Sequence, residues 1–234
     1  MDQTPANVSP EVLKKILPWS YSSLQQYETC PRRFKITRIQ KLIKEPMTQA
    51  TIWGNEAHKA LELALKGTNA LPAKFSSYKP MLDRLKATPG IKEAERNFAL
   101  TAAFTPTDYW SPDAWVRGKA DVTITRSKTG FLFDYKTGKP KEDSDQLNLF
   151  AAVLLAEKPF LDRAYTGYLW LAHDKVDIGI VEREAVPIIW QGFTSRVARM
   201  VRSAERDDFP PKPSGLCKEW CPVGKGNCEF CGKA

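Results

Sequence analysis

Two runs of alternating apolar and polar residues, 115–126 and 131–136, constrain the fold of this chain more than any other feature. Side chains two positions apart share one face of a strand, so Asp134 and Lys136 point the same way. The four residues between the runs have the length and composition of a turn that joins antiparallel strands. The hairpin would bring Asp121 opposite Asp134 on a face suited to metal chemistry, while the other face enters a core. A charged surface hairpin is the alternative, because exposed strands commonly carry Asp and Lys.

The rest of the sequence shows further helical and strand patterns. In chain order, we predict a helix over 49–66, strands over 91–104, 115–126 and 131–136, a helix from Ser144 to about Ala156, strands over 165–171 and 176–184, and a helix over 187–204. A three-stranded meander followed by a helix and two strands fits a mixed sheet. We therefore expect an α/β fold (an α+β mixed sheet), with a central mixed β-sheet flanked by helices and a C-terminal cysteine-rich metal-binding tail.

Length and composition indicate the class of protein. With 234 residues and 42% apolar content, the chain can bury one substantial core. A formal charge of +8 and a pI near 9.2 favour an anionic partner, although so modest an excess also serves solubility. No apolar run approaches the roughly 20 residues that a membrane helix needs, and the N-terminus lacks a signal-peptide pattern. We therefore expect no membrane association and an intracellular protein, whose five cysteines are thiols or metal ligands.

Further candidate metal ligands precede and follow the hairpin. His58 shares a helix face with Gly54, and a glycine within a helix costs about 1 kcal/mol relative to alanine, which indicates a close approach there. Glu95 on the first strand can add a carboxylate, and Gln146 near the start of a later helix can face the same site. Carboxylates with one imidazole suit Mg²⁺ or Mn²⁺. A core histidine bonded to a carbonyl, solvated glutamates and an ordinary first-turn glutamine are the alternatives that the sequence leaves open.

Four of the five cysteines fall within fifteen positions of the C-terminal tail. They are Cys217, Cys221, Cys228 and Cys231, and the fifth is Cys30. Four thiolates from two close pairs can hold structural zinc, which would leave Cys30 free. Three tail cysteines together with Cys30 can instead hold an iron-sulfur cluster, which also takes four thiolates. The spacing permits both metals.

The ordered set of motifs resembles the RecB-like branch of the PD-(D/E)XK nuclease superfamily. The resemblance is closest to members with an iron-sulfur cluster, such as AddB-type and CRISPR-associated RecB-like nucleases. The matching segments are 20–24, 30–34, 54–58, 95–98, 118–121, 134–136, Gln146 and the late cysteines. The resemblance implies a single domain over 1–234 with a restriction-endonuclease-like core. Its parts would be an N-terminal helical segment with Cys30 (1–48), the nuclease core (49–206) and a tail that packs near Cys30 (207–234).

The resemblance also implies roles for particular residues. The chain would be a Mg²⁺- or Mn²⁺-dependent deoxyribonuclease that hydrolyses phosphodiester bonds, as an exonuclease acting on single-stranded or end-containing DNA. The metal ligands would be His58, Asp121, Asp134 and the backbone carbonyl of Tyr135, with Glu95 as an optional ligand. Lys136 would serve the nucleophilic water, so the catalytic set is Lys136, Asp121 and Asp134. The 4Fe-4S ligands would be Cys30, Cys217, Cys221 and Cys228, with Cys231 as an alternative ligand and Zn²⁺ as the alternative metal.

Contacts to DNA are expected from Gln146 and from the basic pair Arg32 and Arg33. Tyr27 or Phe34 would be available to stack bases. A solvated basic helix face is the alternative interpretation of this segment.

Three features depart from the family pattern. Phe150 stands where a tyrosine usually follows the motif glutamine by four residues, so a hydroxyl contact to DNA would be missing. The gap from Cys217 to Cys221 is one residue longer than usual, and Cys231 has no family role.

The expected macromolecular partner is DNA, with a helicase or a single-strand annealing or binding protein as further candidates. The stand-alone form fits a phage or mobile-element nuclease of DNA recombination or repair in the cytoplasm of a host cell. Two other functions stay open: a non-catalytic nucleic-acid-binding or partner-docking protein on a nuclease fold, and a zinc-stabilised interaction module.

Overall fold

The computed structural model describes residues 14, 16–45, 47–140 and 145–232. Ser144, which we expected to begin a helix, lies outside the described residues. The chain divides into two compact units, one formed by the described parts of 1–46 and 192–234 and the other by those of 47–191. The single-domain interpretation stays a prediction.

The helices, in chain order, are α1 (Tyr21–Thr29), α2 (Pro31–Phe34), α3 (Gln49–Leu65), α4 (Lys79–Ala87), α5 (Asp145–Glu157) and α6 (Val186–Glu205). The strands are β1 (Ile91–Leu100), β2 (Val116–Arg126), β3 (Thr129–Lys136), β4 (Arg163–Trp170) and β5 (Lys175–Glu182). A π-helical turn, Lys35–Ile39, follows α2, and a 3-10 segment, Ala73–Tyr78, precedes α4. Within the described residues, no helix has the length and hydropathy needed to cross a membrane.

The five strands form one mixed sheet in the order β1-β2-β3-β4-β5. All neighbouring strands are antiparallel except β3 and β4, which are parallel and are connected through α5. This confirms the predicted mixed sheet flanked by helices. The hairpin turn is shorter than predicted, because β3 begins at Thr129 and leaves only Ser127 and Lys128 between the strands.

One core of the sheet unit joins α3 to β2 and β3. The buried α3 residues Ala57, Ala60, Leu61 and Ala64 recur at helical spacing and pack in one cluster with strand residues such as Val122, Ile124 and Tyr135. The helical segment 73–87 was not predicted from the sequence pattern. It adds Phe75, Met81 and Leu85 to the same cluster.

Helix α5 is apolar on nearly all sides, as expected for a helix enclosed by other elements. Eight of its 13 residues are buried, including Phe150. The Phe150 ring packs edge-on against Phe98 of β1, with ring centroids 5.0 Å apart. The residue that replaces the family's tyrosine is therefore part of the core.

Gly118 of β2 faces Phe98 across the β1–β2 ladder and leaves room for that ring. A Cβ atom at position 118 would lie 2.1 Å from Phe98 Cζ, a distance that no real side chain adopts. The glycine of the 118–121 motif is therefore needed for packing beside the site.

In the other unit, α1 packs on the second half of α6. Ser20 caps α1 in a capping box with Ser23. Tyr27 Oη lies 2.8 Å from Ser203 Oγ, and Arg196 Nη2 pairs with Glu28 Oε2 at 2.7 Å. These side chains join the start of the described chain to its last helix.

Candidate metal centre and cysteine cluster

Strands β2 and β3 separate at the predicted site. Their ladder runs from Arg126 and Thr129 to Val122 and Phe133, but both strands continue beyond the last pair. There the Asp121 side chain replaces a backbone partner, since its Oδ2 accepts a hydrogen bond of 2.7 Å from the backbone N–H of Tyr135. A carboxylate thus occupies the opening between the two strands.

Strand β1 is irregular beside this opening. Glu95 has a left-handed backbone (φ 54°), which is rare for a non-glycine residue within a strand. The ladder with β2 pairs Ala94 and Arg96 but not Glu95. In a regular strand, residues three positions apart point to opposite faces. Arg96 Nε nevertheless lies 3.1 Å from Glu93 Oε1, so both side chains are on one face and the alternation is interrupted between them.

His58 of α3 reaches both strands of the opening. Its Nδ1 lies 3.2 Å from Asp121 Oδ1 and 3.9 Å from Glu95 Oε1, and its Nε2 lies 3.1 Å from the Tyr135 carbonyl oxygen. Burial disfavours the charged imidazole, but the hydrogen bond to Asp121 and the carboxylates of Asp121, Asp134 and Glu95 outweigh it and raise the His58 pKa. The site therefore attracts positive charge.

These residues form a ligand set that fits a divalent cation. Ligand atoms of His58, Glu95 and Asp121 all lie within 4.8 Å of one another. Glu95 Oε1 is buried and accepts no hydrogen bond. Buried carboxylate oxygens without a donor are costly unless a cation satisfies them. Oxygen ligands with one imidazole fit Mg²⁺ or Mn²⁺.

Asp134, Lys136 and Gln146 form a second group beside the first. Gln146 Nε2 donates to Asp134 Oδ1 at 2.9 Å, and its Oε1 accepts from Lys136 Nζ at 3.1 Å. Lys136 Nζ also lies 2.7 Å from Asp134 Oδ2 as an ion pair and 4.9 Å from the centre of the Tyr168 ring. Burial, followed by the charge of Asp121, raises the Asp134 pKa to about 6.

The structure thus brings together seven predicted site residues from three strands and two helices. They are His58, Glu95, Asp121, Asp134, Tyr135, Lys136 and Gln146. Glu95, predicted only as an optional ligand, lies in the three-residue cluster, whereas Asp134 contacts Lys136 and Gln146.

Lys119 is a site residue that the sequence pattern did not predict, and its ammonium group pairs with Glu95 Oε2. That hydrogen bond is the main cause of the raised Lys119 pKa. Lys119 lies two residues before Asp121 and so shares its strand face, and this spacing could have identified it.

The predicted DNA-contacting residues of the N-terminal segment already have partners in the same unit. Arg32 Nη1 pairs with Glu229 Oε2 at 2.8 Å, and Arg33 Nη2 pairs with Glu45 Oε1 at 2.9 Å. Their DNA-binding role stays a prediction. Tyr27 and Phe34 are both buried, so the prediction that they stack bases is wrong. Their rings pack edge-on against each other in the core, with ring centroids 5.8 Å apart.

All five cysteines line one small cavity in the unit that contains both ends of the chain. They are Cys30, Cys217, Cys221, Cys228 and Cys231, and none forms a disulfide. Cys228 and Cys231 are buried with Ile36 and Val223 in a small apolar cluster. Burial, with Cys221 and Cys228 nearby, raises the Cys231 pKa to about 12. Because Cys231 lies among the others, the choice between it and the predicted ligands stays open.

The sequence profile of the PD-(D/E)XK nuclease superfamily matches residues 18–228, which include every residue of the candidate metal centre and all the cysteines except Cys231. The chain belongs to the PD-(D/E)XK nuclease superfamily. The mixed sheet has the restriction-endonuclease-like arrangement expected of this superfamily.

Solved structures with a similar fold include a protein from Eubacterium rectale described as a candidate exonuclease. It is 12% identical, the match covers 94% of this chain and 92% of that chain, and the TM-score is 0.54. The protein SSO0001 is 15% identical over 88% of this chain and 85% of its own, with a TM-score of 0.44. No curated protein matches significantly. At 12% identity, the similarity to the Eubacterium rectale protein concerns the fold alone.

Proposed function

We propose that this chain is a Mg²⁺- or Mn²⁺-dependent deoxyribonuclease that hydrolyses phosphodiester bonds. The observation that carries the proposal is the cluster of His58, Glu95 and Asp121, in which the buried Glu95 Oε1 lacks a hydrogen-bond donor. Lys136 lies beside the cluster and is paired with Asp134. Nuclease superfamily membership and the net charge of +8 support DNA as the substrate.

The residues that would hold the metal are His58, Glu95, Asp121 and Asp134, with the Tyr135 carbonyl. When bound, such an ion polarises a phosphate oxygen and lowers the pKa of a water molecule. Lys136 would orient the attacking water and offset the charge that develops on the phosphate. Gln146 would hold the Lys136 ammonium group through its side-chain oxygen.

The proposal extends to an exonuclease of the RecB-like branch with a 4Fe-4S cluster. The exonuclease activity rests on the sequence resemblance and agrees with the description of the Eubacterium rectale protein. The cavity lined by all five cysteines supports a thiolate-bound metal. Cys30, Cys217, Cys221 and Cys228 are the proposed ligands, with Cys231 and Zn²⁺ as the alternatives.

Such a cluster would act as a crosslink between distant parts of the chain. Residues 30 and 217 enclose a long segment, and closing it restricts the unfolded chain. We further propose that a helicase or a single-strand annealing or binding protein supplies the DNA, in phage or mobile-element recombination or repair.

The nuclease proposal is tested by incubating labelled single- and double-stranded DNA with the protein and Mn²⁺ or Mg²⁺. Cleavage should require the metal and should be lost in Asp121→Ala and in Lys136→Ala. Cleavage that persists in both variants would refute the site, and a wild-type protein that binds DNA without cutting it would be the non-catalytic binding module.

The metal in the cysteine cavity is tested separately by elemental analysis and visible absorption after anaerobic purification. Iron with sulfide and a coloured protein are expected. Cys30→Ser, Cys217→Ser, Cys221→Ser and Cys228→Ser should each lose iron, whereas Cys231→Ser should keep it. A colourless protein with stoichiometric zinc would overturn the iron-sulfur assignment.

A further inference from the structure

An exposed aromatic surface precedes β2. Trp110 is 81% exposed, and its ring meets that of Tyr109 edge-on at 4.9 Å. The Arg117 guanidinium lies 5.3 Å from the Tyr109 ring and 5.2 Å from the Trp110 ring. We call Tyr109, Trp110 and Arg117 the aromatic platform.

The platform is unlike the core aromatics of the same unit. Trp170 and Phe75 are almost fully buried, and nearby Trp190 stacks on Phe104 at 4.5 Å. Trp110 instead keeps most of its surface in contact with solvent, although exposing an indole is unfavourable. The Arg117 guanidinium contacts both rings of the platform, and its Nη2 also donates to the Ser111 carbonyl at 3.2 Å. These contacts hold the platform in one arrangement.

The platform is connected to the metal cluster by a single strand. Arg117 and Lys119 are two residues apart on β2 and therefore share a face. On that face Lys119 pairs with Glu95, one of the three clustered ligands. Two cations thus lie in line between the exposed aromatic rings and the candidate metal centre.

The spacing suits a nucleic-acid strand. Asp121 follows Arg117 by four positions on β2, which corresponds to about 13 Å along a strand. Stacked nucleotides rise about 3.4 Å each, so the interval covers up to roughly four nucleotides. Aromatic rings combined with cations along a path are the usual means of holding single strands, because every base offers a flat face.

We propose that the aromatic platform stacks a base of single-stranded DNA within about four nucleotides of the cleaved phosphate, while Arg117 and Lys119 contact the intervening phosphates. This inference rests on the proposed nuclease function and deepens it by specifying single-stranded DNA at the site. Duplex DNA does not satisfy the platform, since its bases are already stacked on one another.

The test compares Trp110→Ala, the conservative Trp110→Phe and the control Phe160→Ala, which removes an exposed aromatic residue outside the platform. Binding of an end-labelled oligonucleotide is measured by fluorescence anisotropy in EDTA, and Mn²⁺ affinity is measured to check that each variant is folded. Trp110→Ala should bind about 5- to 150-fold more weakly, the range expected for loss of one stacked base. Trp110→Phe and Phe160→Ala should bind like the wild type.

A second measurement locates the stacked base. Oligonucleotides with one abasic position are compared, and the sensitive position should lie within about four nucleotides of the cleaved bond. An abasic site at that position should weaken DNA binding by the wild type but should not weaken binding by Trp110→Ala, which has already lost the stacking contact. A lesion that weakens both proteins equally would overturn the proposal.

The other outcomes separate the two proposals. If the wild type cuts and binds DNA but Trp110→Ala binds equally well, the platform is refuted and the nuclease stands. If Trp110→Ala alters only self-association in sedimentation, the platform is a contact between copies and the inference is overturned. If the wild type neither binds nor cuts any DNA, the proposed function itself fails.

Discussion

The carboxylate of Asp121 accepts a hydrogen bond of 2.7 Å from the backbone N–H of Tyr135, at the point where β2 and β3 separate. The second oxygen of the same carboxylate, Oδ1, lies 3.2 Å from His58 Nδ1. One side chain therefore satisfies a backbone group of the sheet and presents an oxygen to the candidate metal centre.

The two roles of Asp121 can be separated by substitution. Asp121→Asn keeps an oxygen for the Tyr135 N–H but removes the charge, so metal-free stability should stay near the wild-type value. Mn²⁺ affinity should fall at least about tenfold, because even outer-shell changes cost that much. Asp121→Ala should additionally lower the free energy of unfolding by about 1–3 kcal/mol, since a buried N–H loses its acceptor. Urea denaturation and Mn²⁺ titration measure these effects, and equal stability of the two variants would contradict the structural role.

Gln146 should act through Lys136. Lys136→Met should slow cleavage about 100- to 1000-fold at saturating Mn²⁺, the usual cost of losing a group that stabilises developing charge. Gln146→Ala should have a smaller effect, because Lys136 keeps its ion pair with Asp134. Single-turnover rates of both variants and the double variant provide the check. The double variant should be no slower than Lys136→Met, and fully multiplicative losses would show that Gln146 acts independently.

The metal-free protein should lose stability as pH rises through about 6. Burial and Asp121 raise the Asp134 pKa to about 6 in the folded protein, against about 3.9 in an unfolded chain. This proton is bound more tightly by the folded state, so its stabilising contribution is complete below pH 4 and disappears above pH 6. Chemical denaturation from about pH 4 to 7 should show this loss in the wild type relative to Asp134→Asn. If the free energy of unfolding changes with pH in the same way in both proteins, Asp134 is not the cause of the pH dependence.

Mn²⁺ affinity should change in the opposite direction over the same range. Protons compete with the metal for carboxylates, so binding should strengthen as Asp134 ionises above about pH 6. Calorimetric titration at several pH values measures this linkage. An affinity that does not change between pH 5 and 7 would count against a protonated Asp134 in the free site.

Gly118 should resist substitution for steric reasons. Gly118→Ala places a methyl group within 2.1 Å of Phe98 and should cost about 1–3 kcal/mol in the free energy of unfolding. Gly192 lies within α6 and has no atom within 4 Å of a Cβ position, so it is the matched control. Gly192→Ala should stabilise the protein by about 0.5–1 kcal/mol, and urea denaturation should show opposite signs for the two changes.

Most regular elements could be predicted because their patterns are local. The β2–β3 hairpin, the apolar stripe of α3 and the strands β4 and β5 follow from alternation or helical spacing. The segment 73–87 was missed, since its short 3-10 and α-helical pieces bury only a few side chains against α3 and the sheet. The stacking roles of Tyr27 and Phe34 were misjudged because burial depends on which elements pack together.

The sequence by itself determined the residue types of the site and their order along the chain. It identified His58, Asp121, Asp134, Lys136 and Gln146 as candidates, and alternation placed the two aspartates opposite each other. Only the tertiary structure decided that Glu95 joins His58 and Asp121 in one cluster of possible metal ligands. That cluster depends on the left-handed backbone of Glu95 and on the separation of β2 from β3, and neither feature has a local pattern. The structure also showed that Trp110 is exposed, because burial is a property of the packed chain.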